Sequence, residues 1–465
     1  MLDQSTICAI STSPGVGAIA IIRLSGDDAI LIADKIFNSP KKDKTLVKQL
    51  ANTIHFGQII FNNQVIDEVV VSIFKAPHSF TGENSIEIAC HGSIYIQQKI
   101  LEVLVESGAR MALPGEFTQR AFLNGKMDLS QAEAVADVIA SSNAAAHKLA
   151  INQMRGGFSK EISELRNQLL HFTAMIELEL DFAEEEVEFA DRSALQDLTN
   201  KIEILLRKLK DSFQLGNAIK NGIPVAIIGE TNVGKSTLLN VLLNEDKAIV
   251  SEIHGTTRDV IEDVININGN AFRFFDTAGI RDTKDYIETL GIERSYSKLE
   301  QATIILLVVD TENIYSVIKD RIDKIRTRIE TDKTLIIVAN KIDSGLNETI
   351  QQLEVMDLTD NEKIVFVAAK QKQNMDELIN FMTGTINFDL ANQQDVIVTN
   401  ARHFEILKNA HAAILRVLNG LNSGITGDFL AQDIRECMHY LGEITGEIST
   451  NEVLGHIFKN FCIGK

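Results

Sequence analysis

The chain contains no tryptophan and few cysteines, prolines or tyrosines, and each shortage narrows what the protein can be. Among its 465 residues are 4 cysteines, 5 prolines and 5 tyrosines. The cysteines are scattered and form no CxxC pair, which argues against a zinc site or a disulfide framework and suits a reducing compartment. No apolar run reaches the roughly 18 residues that a membrane-spanning helix requires. We therefore expect a cytoplasmic protein that does not enter a membrane.

Positive charge is also scarce. The sequence has 45 Lys and Arg residues against 64 Asp and Glu residues, which gives a formal net charge of −19 at pH 7. A protein that holds nucleic acid unaided presents basic surface to the phosphates, so this balance argues for a local basic patch or a basic partner if nucleic acid is bound at all. No Lys or Arg precedes the first apolar run, so we expect no secretory signal. The final CIGK fits a prenylation motif poorly because it ends in Gly464 and Lys465.

The first 124 residues are typical of a mixed α/β domain. Runs rich in β-branched residues predict strands, as in TIHFGQIIF and NSIEIACHG, and YIQQKILEVLVESG has apolar residues at helical spacing. Residues 125–217 lack proline, are rich in Ala, Leu, Glu and Lys, and repeat with a period near 3.6, so they predict helices. The acidic segment 181–191 within them is interpreted as a solvated face.

Residues 218–384 change to strands that alternate with helices. Near-continuous apolar runs such as VAIIG, TIILLVVD and TLIIVANK predict a mostly parallel sheet covered on both faces. Residues 385–465 are helical in texture again, and the last helix opens with the capping-box spacing Ser449-x-x-Glu452. We therefore predict an α/β domain inserted into one discontinuous helical domain, whose two parts, 125–217 and 385–465, pack together.

The clearest chemical motif is GETNVGKST at residues 229–237, a GxxxxGK[ST] pattern between a predicted strand and a predicted helix. Its glycines allow backbone N–H groups to wrap phosphates at the helix N-terminus. Lys235 would reach the β and γ phosphates, and the Ser236 hydroxyl would bind Mg²⁺. The other predicted contacts of this loop are Asn232, Val233, Gly234 and Thr237.

Two further elements follow in the order that a Ras-like GTPase requires. GTTRD at 255–259 offers Thr257 as the second Mg²⁺ hydroxyl. DTAG at 276–279 offers Asp276 to the metal through water and the Gly279 N–H to the γ-phosphate. Thr256, Thr277 and Ala278 are the neighbouring predicted nucleotide contacts.

Two later motifs are predicted to bind the nucleotide base. NKID at 340–343 follows an apolar strand and supplies Asn340, Lys341 and Asp343. Asp343 can accept hydrogen bonds from guanine N1–H and the exocyclic amine, a pair of donors that adenine lacks. VAAK at 367–370 resembles the guanine-loop motif SAK, in which the base contact is mainly a backbone N–H near Ala369. Five motifs in this order predict a P-loop G domain that binds GTP.

The glutamine that orients the attacking water in Ras-like GTPases is missing, because Ile280 follows DTAG. Resemblance to potassium-dependent GTPases implies that Asn232 coordinates K⁺, whose charge takes the place of an arginine finger. The remaining K⁺ ligands implied by that resemblance are carbonyls or hydroxyls of Ser251, Ile253 and Thr256. Glu288 is the carboxylate that would orient the water once a loop brings it close. From its spacing alone, Glu288 would be an ordinary exposed acid.

Motifs outside the G domain closely resemble the MnmE (TrmE) family of tRNA-modification GTPases. They are APHSFTGENSIEIACHG at 76–92, LPGEFTQRAFLNGKMDLSQAEAVADVI at 113–139 and the terminal FCIGK. The resemblance implies a GTP hydrolase that, with the flavoprotein MnmG and its FAD, installs a carboxymethylaminomethyl-type group on C5 of the wobble uridine of certain tRNAs. It also implies a homodimer through the N-terminal domains and a heterotetramer with MnmG.

The same resemblance implies that 5,10-methylene- or 5-formyl-tetrahydrofolate binds near the dimer contact. The family's folate-contacting positions map onto Arg23, Glu87, Lys126 and Lys465. A carboxylate suits the adjacent N–H donors of a pterin, and the cations suit its carbonyl and the glutamate tail. Cys462 resembles the family's C-terminal cysteine, for which direct chemistry is one interpretation and an inert core position the other.

Two alternative functions use the same motifs. The G domain also resembles ribosome-assembly GTPases, which would predict a basic RNA-binding domain or a second G domain; neither is visible in the sequence. The other alternative is a folate-binding protein whose GTPase is only regulatory. An FAD-containing partner and altered wobble nucleosides distinguish the tRNA-modification hypothesis from both.

Overall fold

The computed structural model of the chain describes residues 5–41, 43–181, 192–243, 249–250, 263–275, 299, 301–329, 333–384, 396–423, 425–459, 461 and 463–464. The elements of the N-terminal part are β1 (Ile7–Ile10), β2 (Ile19–Ser25), α1 (Ala29–Ile36), β3 (Phe37–Asn38), β4 (Thr53–Phe61), β5 (Gln64–Phe74), β6 (Ser85–His91), α2 (Ile94–Glu106), β7 (Arg110–Met111) and α3 (Glu116–Leu123). The helices that follow are α4 (Leu129–Ala140), α5 (Ala144–Met154), α6 (Gly157–Asp181), α7 (Arg192–Asp211) and α8 (Phe213–Asn221).

Strands and helices then alternate before the chain returns to helices. The alternating part contains β8 (Ile223–Ile228), α9 (Lys235–Leu243), β9 (Ile249–Val250), β10 (Asp263–Ile267), β11 (Asn270–Phe275), β12 (Ile304–Asp310), α10 (Tyr315–Arg326), β13 (Thr334–Asn340), α11 (Asn347–Glu354), β14 (Glu362–Val367), a 3₁₀ turn (Ala369–Gln371) and α12 (Met375–Gly384). The final helices are α13 (Ala401–Ser423), α14 (Gly427–Thr445) and α15 (Asn451–Lys459). None of the helices in the described ranges is both long and apolar enough to cross a bilayer.

The N-terminal sheet has the strand order β3-β4-β5-β6-β2-β1-β7 and is antiparallel except where β1 meets β7. Buried and exposed side chains alternate along its strands because one face of the sheet is covered. Val69, Val71 and Ile73 of β5 are buried in a core with α1 and α2. Arg23 of β2 lies directly opposite Glu87 of β6, and both belong to the other face. The sheet register therefore places two of the predicted folate residues side by side.

Helices from both ends of the chain pack together. Helix α6 lies against α14, where Arg435 pairs with Glu177, and the Arg166 guanidinium pairs with Glu447 just beyond α14. This packing confirms the prediction of a discontinuous helical domain. The capping prediction for the last helix is wrong by one residue.

The cap of α15 is Thr450. Its Oγ1 accepts a hydrogen bond from the Val453 N–H at 3.3 Å, while Ser449 Oγ donates to Gly446 O. A Ser and a Thr stand next to each other here, so spacing alone could not choose between them.

The second sheet has the strand order β14-β13-β12-β8-β11-β10-β9, and its five strands from β14 to β11 are parallel. Strand β12, with the sequence IILLVVD, is buried along its whole length. One apolar core contains residues of α9 and α12, and another contains residues of α10 and α11. Apolar strands with helical cover on both faces confirm the predicted α/β architecture.

The strands β10 and β11 form a hairpin whose turn is Asn268-Gly269, both with positive φ. Asn266 of β10 donates a hydrogen bond from Nδ2 to the carbonyl oxygen of Ser142 at 3.4 Å. A Cβ added at Gly269 would lie 3.9 Å from the Cβ of Ala144. The hairpin is thus in contact with the connection between α4 and α5.

By internal contacts the chain divides into two compact units, one of residues 1–139, 151–202 and 409–465, the other of residues 140–150 and 203–408. The four-part division at 1–124, 125–217, 218–384 and 385–465 stays a prediction.

Candidate functional site

The phosphate-binding loop lies between β8 and α9, as its motif predicts. Gly229 has φ +148° and Gly234 has φ +99°, a region that residues with a side chain rarely adopt. A Cβ at Gly229 would also lie 2.4 Å from the carbonyl oxygen of Val308. Asn232 adopts φ +63°, the left-handed conformation that asparagine tolerates best after glycine. The loop therefore needs these residue types for its shape.

Lys235 begins α9 and reaches back over the loop. Its ammonium donates a hydrogen bond to Gly229 O at 2.7 Å and another to Glu230 O. Burial lowers the pKa of Lys235, and the nearby Glu230 carboxylate opposes that shift. The Glu230 carboxylate is itself paired with Arg321 at 2.6 Å. A phosphate that replaced the carbonyl partners would stabilise the charge of this half-buried ammonium.

The carboxyl ends of three parallel strands meet beside this loop. In the register, Asp310 of β12 lies opposite Asn340 of β13, which lies opposite Val367 of β14. Such an edge of a parallel sheet is where ligands bind in open α/β folds. The NKID motif begins at this edge, with Asn340 as the last residue of its strand.

Asn340 connects the phosphate-binding loop to the predicted base-binding loop. Its Nδ2 donates to Val233 O at 2.8 Å, and its Oδ1 accepts from the Ala369 N–H at 3.0 Å. The side chain is nearly inaccessible, at 3% exposure, so both bonds are shielded from water. A Cβ at Gly234 would approach Asn340 Nδ2 to 2.2 Å. One carboxamide therefore fixes two loops that are far apart in the sequence.

Lys341 and Asp343 follow on the same loop. Lys341, with φ +65°, donates to Asp310 Oδ2 at 2.5 Å and to Glu312 at 3.3 Å, and the hydrogen bond to Asp310 raises the pKa of Lys341. Gln371 donates to the exposed carboxylate of Asp343. The sequence interpretation missed Asp310 and Glu312, although an acid that ends a wholly apolar strand was a visible signal.

Several predicted residues lie outside the described part of the chain. They are Ser251, Ile253, Thr256, Thr257, Asp276, Thr277, Ala278, Gly279, Glu288, Cys462 and Lys465. Among the described ones, Ser236 lies in the first turn of α9, and Asn232 and Thr237 are exposed. A hydroxyl beside a phosphate-binding loop and an exposed carboxamide are oxygen donors of the kind that Mg²⁺ and K⁺ accept.

A second polar site lies on the N-terminal sheet. Arg23 donates from Nε and Nη2 to the same oxygen of Glu87, Oε1, at 3.0 and 2.8 Å. The Arg23 guanidinium also lies 5.6 Å from the ring centroid of Phe80 and 5.8 Å from that of Phe117. Lys126 lies at the loop that carries Phe80 and donates to Pro77 O at 2.9 Å. Three of the four positions implied for folate therefore lie on or beside one sheet face and loop.

Two family models cover most of the chain. The model described as the GTP-binding protein TrmE N-terminus matches residues 6–126, and the MnmE helical domain model matches residues 129–462. Both agree with the structural order of an N-terminal α/β part followed by helices with an inserted domain.

Curated relatives are similar along the entire chain. A protein of Bacteroides thetaiotaomicron named tRNA modification GTPase MnmE is 58% identical over 469 residues, covering 100% of both chains. Proteins of the same name from Parabacteroides distasonis (99% of this chain and 100% of the relative) and Flavobacterium psychrophilum (100% of both) are 57% and 51% identical. With two matching family models and relatives of this identity over its full length, the chain belongs to the MnmE (TrmE) family of tRNA modification GTPases.

Proposed function

We propose that the chain hydrolyses GTP to GDP and phosphate and couples that reaction to modification of C5 of the wobble uridine in certain tRNAs. The added group is of the carboxymethylaminomethyl type, and its one-carbon unit comes from a folate. The observation that best supports binding of the nucleotide is Asn340, whose carboxamide joins the phosphate-binding loop at Val233 to the base-binding loop at Ala369. A site so joined suits a ligand with a phosphate end and a base end.

Residues of the described site have distinct roles in this proposal. The backbone N–H groups at the start of α9 and the Lys235 ammonium bind the β and γ phosphates. Asp343 accepts from the guanine N1–H and amine and so selects GTP over ATP. The Ala369 N–H donates to Asn340 Oδ1 at 3.0 Å, so Ala369 also orients the Asn340 carboxamide beside the base.

The oxygen donors of the loop fit two cations. Ser236, with Thr257 and a water-mediated contact from Asp276, would hold Mg²⁺. Bound magnesium neutralises charge on the β and γ phosphates. Asn232 presents an exposed carboxamide on a left-handed backbone, and with Ser251, Ile253 and Thr256 it would hold K⁺. Bound potassium supplies the positive charge that an arginine finger gives other GTPases.

Water activation is assigned to Glu288, which lies outside the described residues. A carboxylate can accept a hydrogen bond from the attacking water and hold that water in line with the γ-phosphate. Cys462, which also lies outside the described residues, is a second candidate for direct chemistry, with an inert core position as the alternative.

Folate is proposed to bind at the Arg23–Glu87 pair. Both hydrogen bonds from Arg23 go to Glu87 Oε1, and within the described residues Oε2 accepts none. That oxygen suits the adjacent N–H donors of a pterin, while Lys126 and Lys465 suit its carbonyl and carboxylates. The donor of the one-carbon unit would be 5,10-methylene-tetrahydrofolate, with 5-formyl-tetrahydrofolate as a bound analogue.

The outward face of the N-terminal sheet supports a homodimer. Ile54 and Phe56 of β4 are 70% and 54% exposed, and Val70, which is 38% exposed, lies opposite Phe56 in the register. Contiguous exposed apolar side chains on a sheet face favour burial against a second protein surface, here a second copy. The flavoprotein MnmG, with its FAD, is the proposed partner in a heterotetramer that works in the cytoplasm. Because this chain has a net charge of −19, it need not bind tRNA strongly if the partner supplies the basic surface.

The test combines an assay on the protein with an analysis of cellular tRNA. Purified chain should release phosphate from GTP and leave ATP intact. Cells depleted of the protein should lose the modified wobble nucleoside by mass spectrometry, and a pull-down should recover an FAD-containing protein. Normal wobble nucleosides after depletion would exclude the proposed function and favour a ribosome-assembly role.

A further inference from the structure

Residues 75–84, which we call the 75–84 loop, connect β5 to β6 and cover the Arg23–Glu87 pair. Two side chains from the segment that follows α3 hold this loop. Lys126 donates to Pro77 O at 2.9 Å, and Asn124 donates from Nδ2 to Thr81 O at 2.8 Å. The loop is therefore fastened to the segment that follows α3.

Glu83 makes the most extensive of these connections. Its Oε2 accepts from Ser25 Oγ at 2.7 Å, and Arg120 donates from Nη1 to both carboxylate oxygens, at 3.2 and 3.1 Å. The Glu83 backbone is used as well, because its carbonyl accepts from Ser79 Oγ at 2.6 Å. Ser25 also bonds to the Thr81 hydroxyl at 2.6 Å. One carboxylate thus ties the loop to β2 and to α3.

The Arg120 side of this connection is rigid. Arg120 is 4% exposed and also donates to Glu116 at 3.0 Å, and Glu116 is fully buried. Glu116 in turn accepts from Arg110 at 2.8 Å and from the Leu113 N–H at 2.9 Å. Buried, fully bonded ionic groups hold a single arrangement because each alternative leaves a charge unpaired.

The 75–84 loop places the Phe80 side chain beside the Arg23–Glu87 pair. Its ring centroid is 5.6 Å from the Arg23 guanidinium, within the range of a cation–π contact, and Phe117 lies on Arg23 at 5.8 Å. Phe117 is completely buried, whereas Phe80 remains 38% exposed. An exposed aromatic ring next to a cation and a carboxylate oxygen that accepts no bond from the described residues is a surface for a flat, hydrogen-bonding heterocycle.

We propose that Phe80 is a stacking wall of the N-terminal ligand site and that Glu83 is the positioning residue that holds it there. The ligand is a planar heterocycle with adjacent N–H donors, which Glu87 accepts while Phe80 covers its face. This inference rests on the proposed folate binding and adds the residues that set affinity for the ring.

The experiment measures binding of 5-formyl-tetrahydrofolate to the full-length chain by isothermal titration calorimetry. Phe80→Leu keeps an apolar side chain but removes the flat ring, so the dissociation constant should rise about tenfold. Phe80→Tyr keeps the ring and should bind within about twofold of the unaltered chain. Glu83→Gln should also weaken binding about tenfold, because a neutral amide accepts poorly from Ser25 and Arg120. Glu102→Gln, an exposed change on α2, is the matched control and should bind normally.

The double variant distinguishes positioning from a general structural role. If Glu83 acts through Phe80, Phe80→Leu combined with Glu83→Gln weakens binding no more than either change alone, within about twofold. If the dissociation constant of the double variant rises by the product of the two single effects, Glu83 does not act through Phe80 and the positioning role is overturned. Circular dichroism and thermal unfolding identify any variant that fails to fold. If the Glu83 variants fail, the comparison of Phe80→Leu with Phe80→Tyr still tests the stacking role of Phe80.

Arg23→Ala separates this proposal from the one on which it rests. Loss of binding in Arg23→Ala together with normal binding in Phe80→Leu overturns the stacking wall and leaves folate binding intact. Absence of binding to the unaltered chain, or normal binding in Arg23→Ala, overturns both.

Discussion

The Asn340 Nδ2 donates to Val233 O across 107 residues of sequence, at 2.8 Å. The same side chain accepts from the Ala369 N–H, so the two ends of the proposed GTP site share one rigid support. Removal of the carboxamide should therefore affect phosphate and base recognition together.

Asn340→Ala should weaken GDP binding by about 30-fold or more, from the loss of two shielded hydrogen bonds at about 1 kcal/mol each and from the buried Val233 C=O and Ala369 N–H that are left unpaired. Fluorescence titration with a labelled GDP measures the effect. Gln352→Ala, an exposed position on α11, serves as the control. Unchanged affinity in Asn340→Ala would show that the two loops do not depend on this side chain.

Gly234→Ala should both destabilise the G domain and reduce nucleotide affinity. The new Cβ would lie 2.2 Å from Asn340 Nδ2 on a backbone with φ +99°, so either the loop or the carboxamide must move. We expect a loss of about 2 kcal/mol, measured by urea unfolding. Gly384→Ala is the matched control because a Cβ there meets no atom of the described residues within 4 Å. Equal stability of the two variants would contradict the close approach.

Replacing K⁺ with Na⁺ should lower GTP turnover at least about tenfold, which corresponds to roughly 1.4 kcal/mol of barrier. Asn232→Ala should be slow in both salts, because it lacks the proposed carboxamide ligand. Phosphate release at matched ionic strength measures both. Equal rates of the unaltered chain in K⁺ and Na⁺ would remove the proposed role of Asn232.

Glu288→Ala should bind GTP normally and hydrolyse it much more slowly, by about 100-fold, as expected on loss of a group that orients water. Single-turnover hydrolysis separates the chemical step from binding. Hydrolysis at the normal rate would return Glu288 to the role of an ordinary exposed acid.

The stability of the N-terminal unit should fall in acid because of Glu116. Burial alone would raise the pKa of Glu116, but hydrogen bonds from Arg110, the Leu113 N–H and Arg120 lower it below its usual 4.5. A carboxyl with a lowered folded-state pKa stabilises the fold above its unfolded-state pKa and loses that contribution as pH falls through the folded-state value. The window therefore lies below about pH 4.5.

Glu116→Gln tests this dependence. At pH 7 it should cost about 3 kcal/mol, because the buried Arg120 loses one of its two carboxylate partners and Arg110 loses a charged acceptor. Urea unfolding midpoints of the two proteins should then converge as the pH falls below 4.5. Parallel midpoints over that range would contradict the assignment. The exposed Glu102→Gln should follow the unaltered chain throughout.

The sequence was sufficient for those parts of the site that depend on local residue patterns. The glycines of GETNVGKST, the apolar strands and the helical texture all follow from neighbours along the chain, and the structure confirms the elements. The links made between distant segments could not be predicted. Asp310 with Lys341, Gly234 with Asn340 and Glu83 with Arg120 depend on strand register and side-chain reach, which spacing does not reveal.

The contact between Asn266 and Ser142 has a consequence for movement. The hairpin that carries Asn266 separates GTTRD from DTAG in the sequence, so any rearrangement of those motifs pulls on both of its ends. The bond to the Ser142 carbonyl is already 3.4 Å long, and the amide's own oxygen is buried without a partner among the described residues. A displacement of the hairpin by even one ångström would break this hydrogen bond. The connection between α4 and α5 would then lose its bond to the hairpin.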